Sequence, residues 1–227
     1  MMSEIAVIMS VYKNDRMEWF KESVDSILNQ SFNAIDIYLF VDGVVCSDIT
    51  ELINHYSKLP NFYVIYSENN VGLAQAMNTL IKSNALAQKY PYIARMDSDD
   101  ICHEDRFKEQ YDFMEKNSNI SVLGTDCIEI DESGLELNYK KMPSSHCELD
   151  DLVIKRCPFN HPTVIIRSEV FMNGFFYNDK LRNTQDYFFW IELLKNGYKF
   201  ANLNKPLLFF RITADFYKKR GRGKALN

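Results

Sequence analysis

Three of four consecutive residues are aspartates in the stretch YIARMDSDDICHEDRFKEQ (92–110): Asp97, Asp99 and Asp100. Like charges this close repel one another and raise each other's proton affinity. A cationic partner relieves them, and the candidates are a metal ion, an arginine or plain solvent. Mg²⁺ and Mn²⁺ are hard cations that take oxygen ligands, often one or two carboxylates completed by substrate phosphates and water. An ion held there could neutralise a departing diphosphate, which is Lewis-acid catalysis. The competing reading is that Asp99 and Asp100 cap the helix that follows, whose N-terminal dipole favours negative charge.

The elements around the acids decide where they sit. Residues 5–12, IAVIMSVY, form a continuous apolar run of the kind found in a strand buried on both faces of a parallel sheet. Asp15, with Glu18 three residues on, fits the start of a helix through Met17, Phe20, Val24, Ile27 and Leu28. A second strand, 35–43, ends at Asp42-Gly43; a helix runs through Leu52 and Tyr56, and a third strand covers 62–67. Residues 69–89 read as a glycine-containing turn and one long helix, 92–97 as a fourth strand, and HEDRFKEQYDFMEKN as the helix after the acids. This βαβαβαβα alternation predicts an α/β fold with a mostly parallel central sheet and helices on both faces. Ligands in such sheets bind beyond the carboxyl ends of the strands. Asp42, Asp97 and the Asn69-Asn70-Gly72 turn all fall at such ends, so three strand ends converge on one polar crevice.

The second half predicts a strand at 120–131, a hairpin into LELNYKKM, a strand over 161–171, a helix over 186–197 closed by Gly197, and a last strand from Phe200 to Arg211. With no linker or repeat, residues 1–217 read as one domain in two halves, 1–117 and a smaller, antiparallel 118–217, followed by a basic tail, 218–227. The net charge of −5 argues against general nucleic-acid binding, which needs a broad basic face. Five scattered cysteines without a CxxC pair argue for a reducing compartment and against a disulfide framework or structural zinc. The N-terminus lacks a signal-peptide pattern and no run reaches a membrane span, so a cytoplasmic location is expected.

The stretches VIMSVYKND, NVGLAQAMN, MDSDDICHEDRFKEQ, PFNHPTVIIRSEVF and TQDYFFWIELLKNG occur in an order that resembles the family 2 glycosyltransferases, above all bacterial sugar transferases of the amylovoran or O-antigen type. The likeness runs to about Arg211, and implies that 1–117 is the nucleotide-sugar-binding half and 118–217 the acceptor-side half. It implies the nucleotide-sugar transferase A (Rossmann-like) fold, a divalent metal (Mn²⁺ or Mg²⁺), a nucleotide-diphosphate sugar donor, a glycan or lipid-linked oligosaccharide acceptor, and inversion at the anomeric carbon.

By this resemblance Asp42 of VDG falls at the donor base, although Val41 replaces the first of the two acids many members carry there. Asp97 faces the ribose or metal, and Asp99 is the principal metal ligand. Asp186 matches the general base that deprotonates the acceptor hydroxyl, with Gln185 in place of the usual preceding Glu; the alternative for Asp186 is a helix N-cap. His161, in NHPT, falls on the acceptor side or is a turn residue. Arg211 reaches the diphosphate, since guanidinium pairs well with phosphate oxygens, or forms an ion pair with a nearby acid. Gly72 and Asn78 shape the loop and helix start near the nucleotide, and Arg95, inside a strand, pairs with a carboxylate. The donor is expected to be a UDP-hexose or UDP-N-acetylhexosamine. Lys218, Lys219, Arg220, Arg222 and Lys224 allow peripheral contact with the inner face of the cytoplasmic membrane, and a solvated tail is the alternative. Rival functions are a sugar-phosphate nucleotidyltransferase, for which the expected glycine-rich loop after the first strand is missing, and a non-catalytic nucleotide-sugar-binding protein.

Overall fold

The computed structural model describes residues 3–181 and 184–213. The first half alternates β1 (Ile5–Tyr12), α1 (Met17–Leu28), β2 (Ile35–Asp42), α2 (Ser47–Tyr56), β3 (Phe62–Ser67), α3 (Leu73–Ser83), α4 (Leu86–Lys89) and β4 (Tyr92–Arg95). The second half runs β5 (Ile101–Cys102), α5 (Arg106–Lys116), β6 (Val122–Ile130), β7 (Glu136–Lys140), α6 (His146–Val153), a 3₁₀ turn (His161–Thr163), β8 (Ile165–Arg167), α7 (Glu169–Met172), α8 (Gln185–Lys195) and β9 (Phe200–Arg211).

All the strands join one sheet, in the order β3-β2-β1-β4-β8-β6-β9-β5, with β7 added to β6. The β3-β2-β1-β4 part is parallel, whereas β8 is antiparallel to both β4 and β6. Side chains of β1 alternate between two cores, as a doubly buried strand requires. Ile5, Val7, Met9 and Val11 pack with Phe20, Ile49, Ile53 and Phe107 of α1, α2 and α5. Ala6 and Ile8 pack with Met77, Leu80, Phe189 and Trp190 of α3 and α8 on the other face. The expected mostly parallel sheet with helices on both faces is therefore present.

Parallel register brings the carboxyl ends together: Tyr12 lies beside Asp42, Asp42 beside Ser67, and Arg95 beside Ile8. On the far side, β9 follows β6 in parallel, shifts register around Pro206, and continues antiparallel to β5. Proline offers no N–H to a ladder, so a bulge at this point is the expected accommodation. The shifted end of β9 delivers Arg211 to the acid loop.

Several expectations are corrected. The helix over 69–89 is two helices, broken where Ala85 adopts a left-handed conformation (φ 51°). Residues 161–171 are a 3₁₀ turn, a three-residue strand and a short helix rather than one strand. Residues 146–153, between the predicted hairpin and the predicted strand over 161–171, form a helix, α6, capped reciprocally by Ser145 and Glu148. Asp15 does not cap α1, whose N-cap is Arg16 without a side-chain bond. The basic tail lies outside the described residues. No helix among those described is long and apolar enough to cross a membrane.

Candidate active site

The loop after β4 carries the acids. Carboxylate oxygens of Asp97, Asp99 and Asp100 all lie within 4.8 Å of one another. Neither Asp99 nor Asp100 caps a helix, because β5 intervenes before α5 begins at Arg106. Burial, then the charges of Asp97 and Asp15, pushes Asp99 up to about 7. Asp100 is fully buried and its carboxyl is raised well above the usual range, by burial first and by Asp99 and Asp97 next. One Asp100 oxygen accepts from the Arg211 N–H at 2.8 Å, and the other has no hydrogen-bond partner among the described residues. An orphaned buried carboxylate oxygen beside two further carboxylates is a donor set that fits a hard divalent cation.

The loop is held from several sides. Ser23 Oγ donates to the Asp97 carbonyl (2.7 Å), Ser98 Oγ donates to Asp15 Oδ2 (2.9 Å), and Arg106 donates to the Arg95 carbonyl (2.8 Å). Asp15 is itself pushed up to about 6 by burial, against the pull of its bonds from the Tyr12 N–H and Ser98. Arg95, almost wholly buried, pairs with Asp97 Oδ1 by charge, while its Nε finds no hydrogen-bond partner among the described residues. The expected pairing of Arg95 with a carboxylate is thus present, and it lies inside the site.

Asp42 does not point a free carboxylate at a nucleobase. It is 4 % exposed, and its oxygens accept from the Val71 N–H (2.6 Å), the Gly72 N–H (3.0 Å) and Asn70 Nδ2 (2.9 Å). It organises the 70–72 turn that opens α3. Gly43 permits this: its φ is +86°, and a Cβ there would stand 3.0 Å from the Asn70 nitrogen. Gly72, at φ +87°, has the predicted place at the start of α3. Asn78 is also corrected, since both ends of its buried amide bond the Tyr177 backbone, at 2.7 and 3.1 Å. It pins the 175–178 segment and is spent on protein.

That segment links the two halves of the site. Tyr177, buried, feels the positive charge of Arg95 and the negative charge of Asp186, although burial dominates in raising its hydroxyl. His161 Nε2 lies 3.1 Å from the Tyr177 hydroxyl, and its ring meets Trp190 on the helix that carries Asp186. Asp186 stands in the first turn of α8 and is not the N-cap, which is Thr184. Its Oδ2 accepts from the Cys157 thiol at 3.6 Å, and burial together with Asp186 pushes that thiol up to about 12, so the sulfur keeps its proton. Tyr177 therefore meets His161 directly and senses the charges of Asp186 and of Arg95, the partner of Asp97.

Arg211 ends β9 as expected, but not as a diphosphate contact. It is 3 % exposed, and the guanidinium is engaged by Glu22 Oε2 (2.6 Å), the Asp99 carbonyl (2.9 Å), and the carbonyls of Asp131 and Glu132. Sequence reasoning took Asp15 for a helix cap rather than a site residue and overlooked Tyr177 and Cys157. Asp15 had a signal, because it follows a buried strand at its carboxyl end; Tyr177 and Cys157 had none, because their partners lie far along the chain.

A clustered acid loop beyond the carboxyl ends of parallel strands, in a mixed sheet covered by helices on both faces, fits the nucleotide-sugar transferase A type of α/β fold. Staphylococcus aureus TarS has the same fold: the TM-score is 0.72 at 17% identity, over 95% of this chain and 38% of that one. Residues 6–175 match the family model of glycosyl transferase family 2, and the chain belongs to that family. An uncharacterized glycosyltransferase of Haemophilus influenzae is 32% identical over 222 residues, covering 96% of this chain and 79% of its own. The amylovoran biosynthesis glycosyltransferase AmsE of Erwinia amylovora is 29% identical over 215 residues (95% and 79%). The UDP-Gal:alpha-D-GlcNAc-diphosphoundecaprenol beta-1,3-galactosyltransferase of Escherichia coli is 29% identical over 220 residues (96% and 78%).

Proposed function

We propose that this transferase moves a hexose or N-acetylhexosamine from a UDP-sugar to a hydroxyl of a glycan or lipid-linked oligosaccharide, with inversion, in the synthesis of a surface polysaccharide. The observation that carries the reading is the cluster of Asp97, Asp99 and Asp100 on the loop after β4, with one buried Asp100 oxygen that has no hydrogen-bond partner among the described residues. Asp97 and Asp99, with the orphaned oxygen of Asp100 close by, would hold Mn²⁺ or Mg²⁺. Such an ion, when bound, stabilises negative charge on the departing diphosphate.

The rest is done by the chain. Asp186 takes the proton of the acceptor hydroxyl as its oxygen bonds to the anomeric carbon and the bond to the diphosphate breaks. The Cys157 thiol occupies Oδ2 of Asp186, which leaves Oδ1 as the basic oxygen. A positioned base of this kind contributes about 10²–10⁴-fold. The Asp42-braced turn, with Gly72 at the head of α3, forms the nucleotide side of the crevice. The UDP donor and the glycan acceptor are also supported by the TarS 1–349 structures in complex with UDP and with UDP-GlcNAc, and by the galactosyltransferase relative.

Thermal unfolding with UDP, with and without Mn²⁺, tests the reading. A ligand at about 100 times its Kd stabilises the native state by about 2.7 kcal/mol. Wild type should respond to UDP strongly only with Mn²⁺, and Asp99→Asn should lose that response. A wild type indifferent to UDP, GDP and dTDP with metal present refutes it.

A further inference from the structure

Arg211 ties together three separate parts of the protein: the acid loop, the β6–β7 turn and α1. Its backbone N–H donates to Asp100 Oδ1 (2.8 Å) and Nε to the Asp99 carbonyl (2.9 Å). One terminal nitrogen donates to the carbonyls of Asp131 (3.2 Å) and Glu132 (3.3 Å) in the β6–β7 turn, the other to Glu22 Oε2 on α1 (2.6 Å). The guanidinium carbon lies 5.0 Å from the centre of the Trp19 ring. Its charge is answered by Glu22. The positive charge that opposes the raised proton affinity of Asp99 and Asp100 is instead that of Arg95. Arg211 thus touches the acid loop through the Asp99 carbonyl and the Asp100 carboxylate, while Arg95 pairs with Asp97.

We propose that Arg211 is the positioning residue of the carboxylate cluster. By fixing the Asp99 carbonyl and the Asp100 carboxylate against α1 and the β6–β7 turn, it holds the three acids in the close arrangement a divalent cation needs. The inference rests on the metal-binding reading above. A lysine cannot replace it, because one ammonium cannot span Glu22, the Asp99 carbonyl and the 131–132 carbonyls as the planar fork does. Residues that orient metal ligands from behind typically change metal affinity by about 10–100-fold.

The experiment is Mn²⁺ titration of the full chain by calorimetry without nucleotide, with UDP binding measured separately at saturating Mn²⁺. Arg211→Lys should weaken Mn²⁺ binding by about 10–100-fold and leave UDP binding at saturating Mn²⁺ within about twofold. Glu22→Gln, at a half-exposed position, keeps the arginine but loosens its anchor; it should weaken Mn²⁺ several-fold and carries the test if Arg211→Lys does not unfold cooperatively. Wild-type Mn²⁺ affinity in both variants overturns the inference, as does loss of UDP binding alone, which is the signature of a direct diphosphate contact. A wild type that takes up no Mn²⁺ overturns the metal reading itself, and the inference with it.

Discussion

Asp99→Asn should make the ligand-free protein more stable at pH 8, although it removes a residue proposed to be essential for function. In the fold the Asp99 carboxyl sits at about 7 against an ordinary value of 3.8. Burial is the largest cause and the charges of Asp97 and Asp15 add to it. Below the ordinary value both states are protonated and nothing is lost. As pH rises the unfolded chain ionises while the fold holds its proton, so the fold loses stability steadily until Asp99 ionises in the native state near pH 7. Each pKa unit corresponds to about 1.4 kcal/mol, which gives an upper bound of about 4 kcal/mol at pH 8. Solvent reaches part of the side chain and screens it, so about 2 kcal/mol is the working figure. For a chain of this size that is a rise of roughly 4–8 °C in Tm.

The assay is thermal unfolding of wild type and Asp99→Asn in EDTA at pH 5 and pH 8. At pH 5 the loss has run only from 3.8 to 5, so the gap between the proteins should be roughly a third of its value at pH 8. Saturating Mn²⁺ with UDP at pH 8 should reverse the order, because binding to the native wild type adds stability that the variant cannot gain. A gap that does not change with pH, or an Asp99→Asn protein less stable than wild type at pH 8 in EDTA, refutes the electrostatic reasoning.

Asp186→Asn should lower the turnover number by about 10²–10⁴-fold while UDP affinity stays within about twofold, measured by UDP release with acceptor and by calorimetry; a loss under tenfold removes Asp186 as the base. Gly43→Ala should cost about 1–3 kcal/mol, because it forces a Cβ into a left-handed backbone (φ +86°) 3.0 Å from the Asn70 nitrogen. A lowered midpoint in denaturant checks it, and an unchanged midpoint means that the 69–72 turn yields freely.

The sheet was legible because its signals are local. A doubly buried strand writes a continuous apolar run, and Gly197 at φ +82° ends α8 where a glycine C-cap was expected. The acid loop was legible for the same reason, since three carboxylates in four residues need no partner elsewhere to be noticed. Helix α6 was legible too and was overlooked: Ser145 and Glu148 form the Ser-x-x-Glu capping box in plain view. What local pattern cannot reveal is where a charged side chain ends. Asp42 and Arg211 both stand at strand ends, and composition allows each to meet a ligand. Asp42 closes on amides 28 to 30 residues away, and Arg211 on a glutamate 189 residues away. Spacing along the chain therefore cannot tell a guanidinium that grips a diphosphate from one that grips Glu22. The distinction lies in a register shift at Pro206 that turns the end of β9 toward α1, and only the folded sheet contains it.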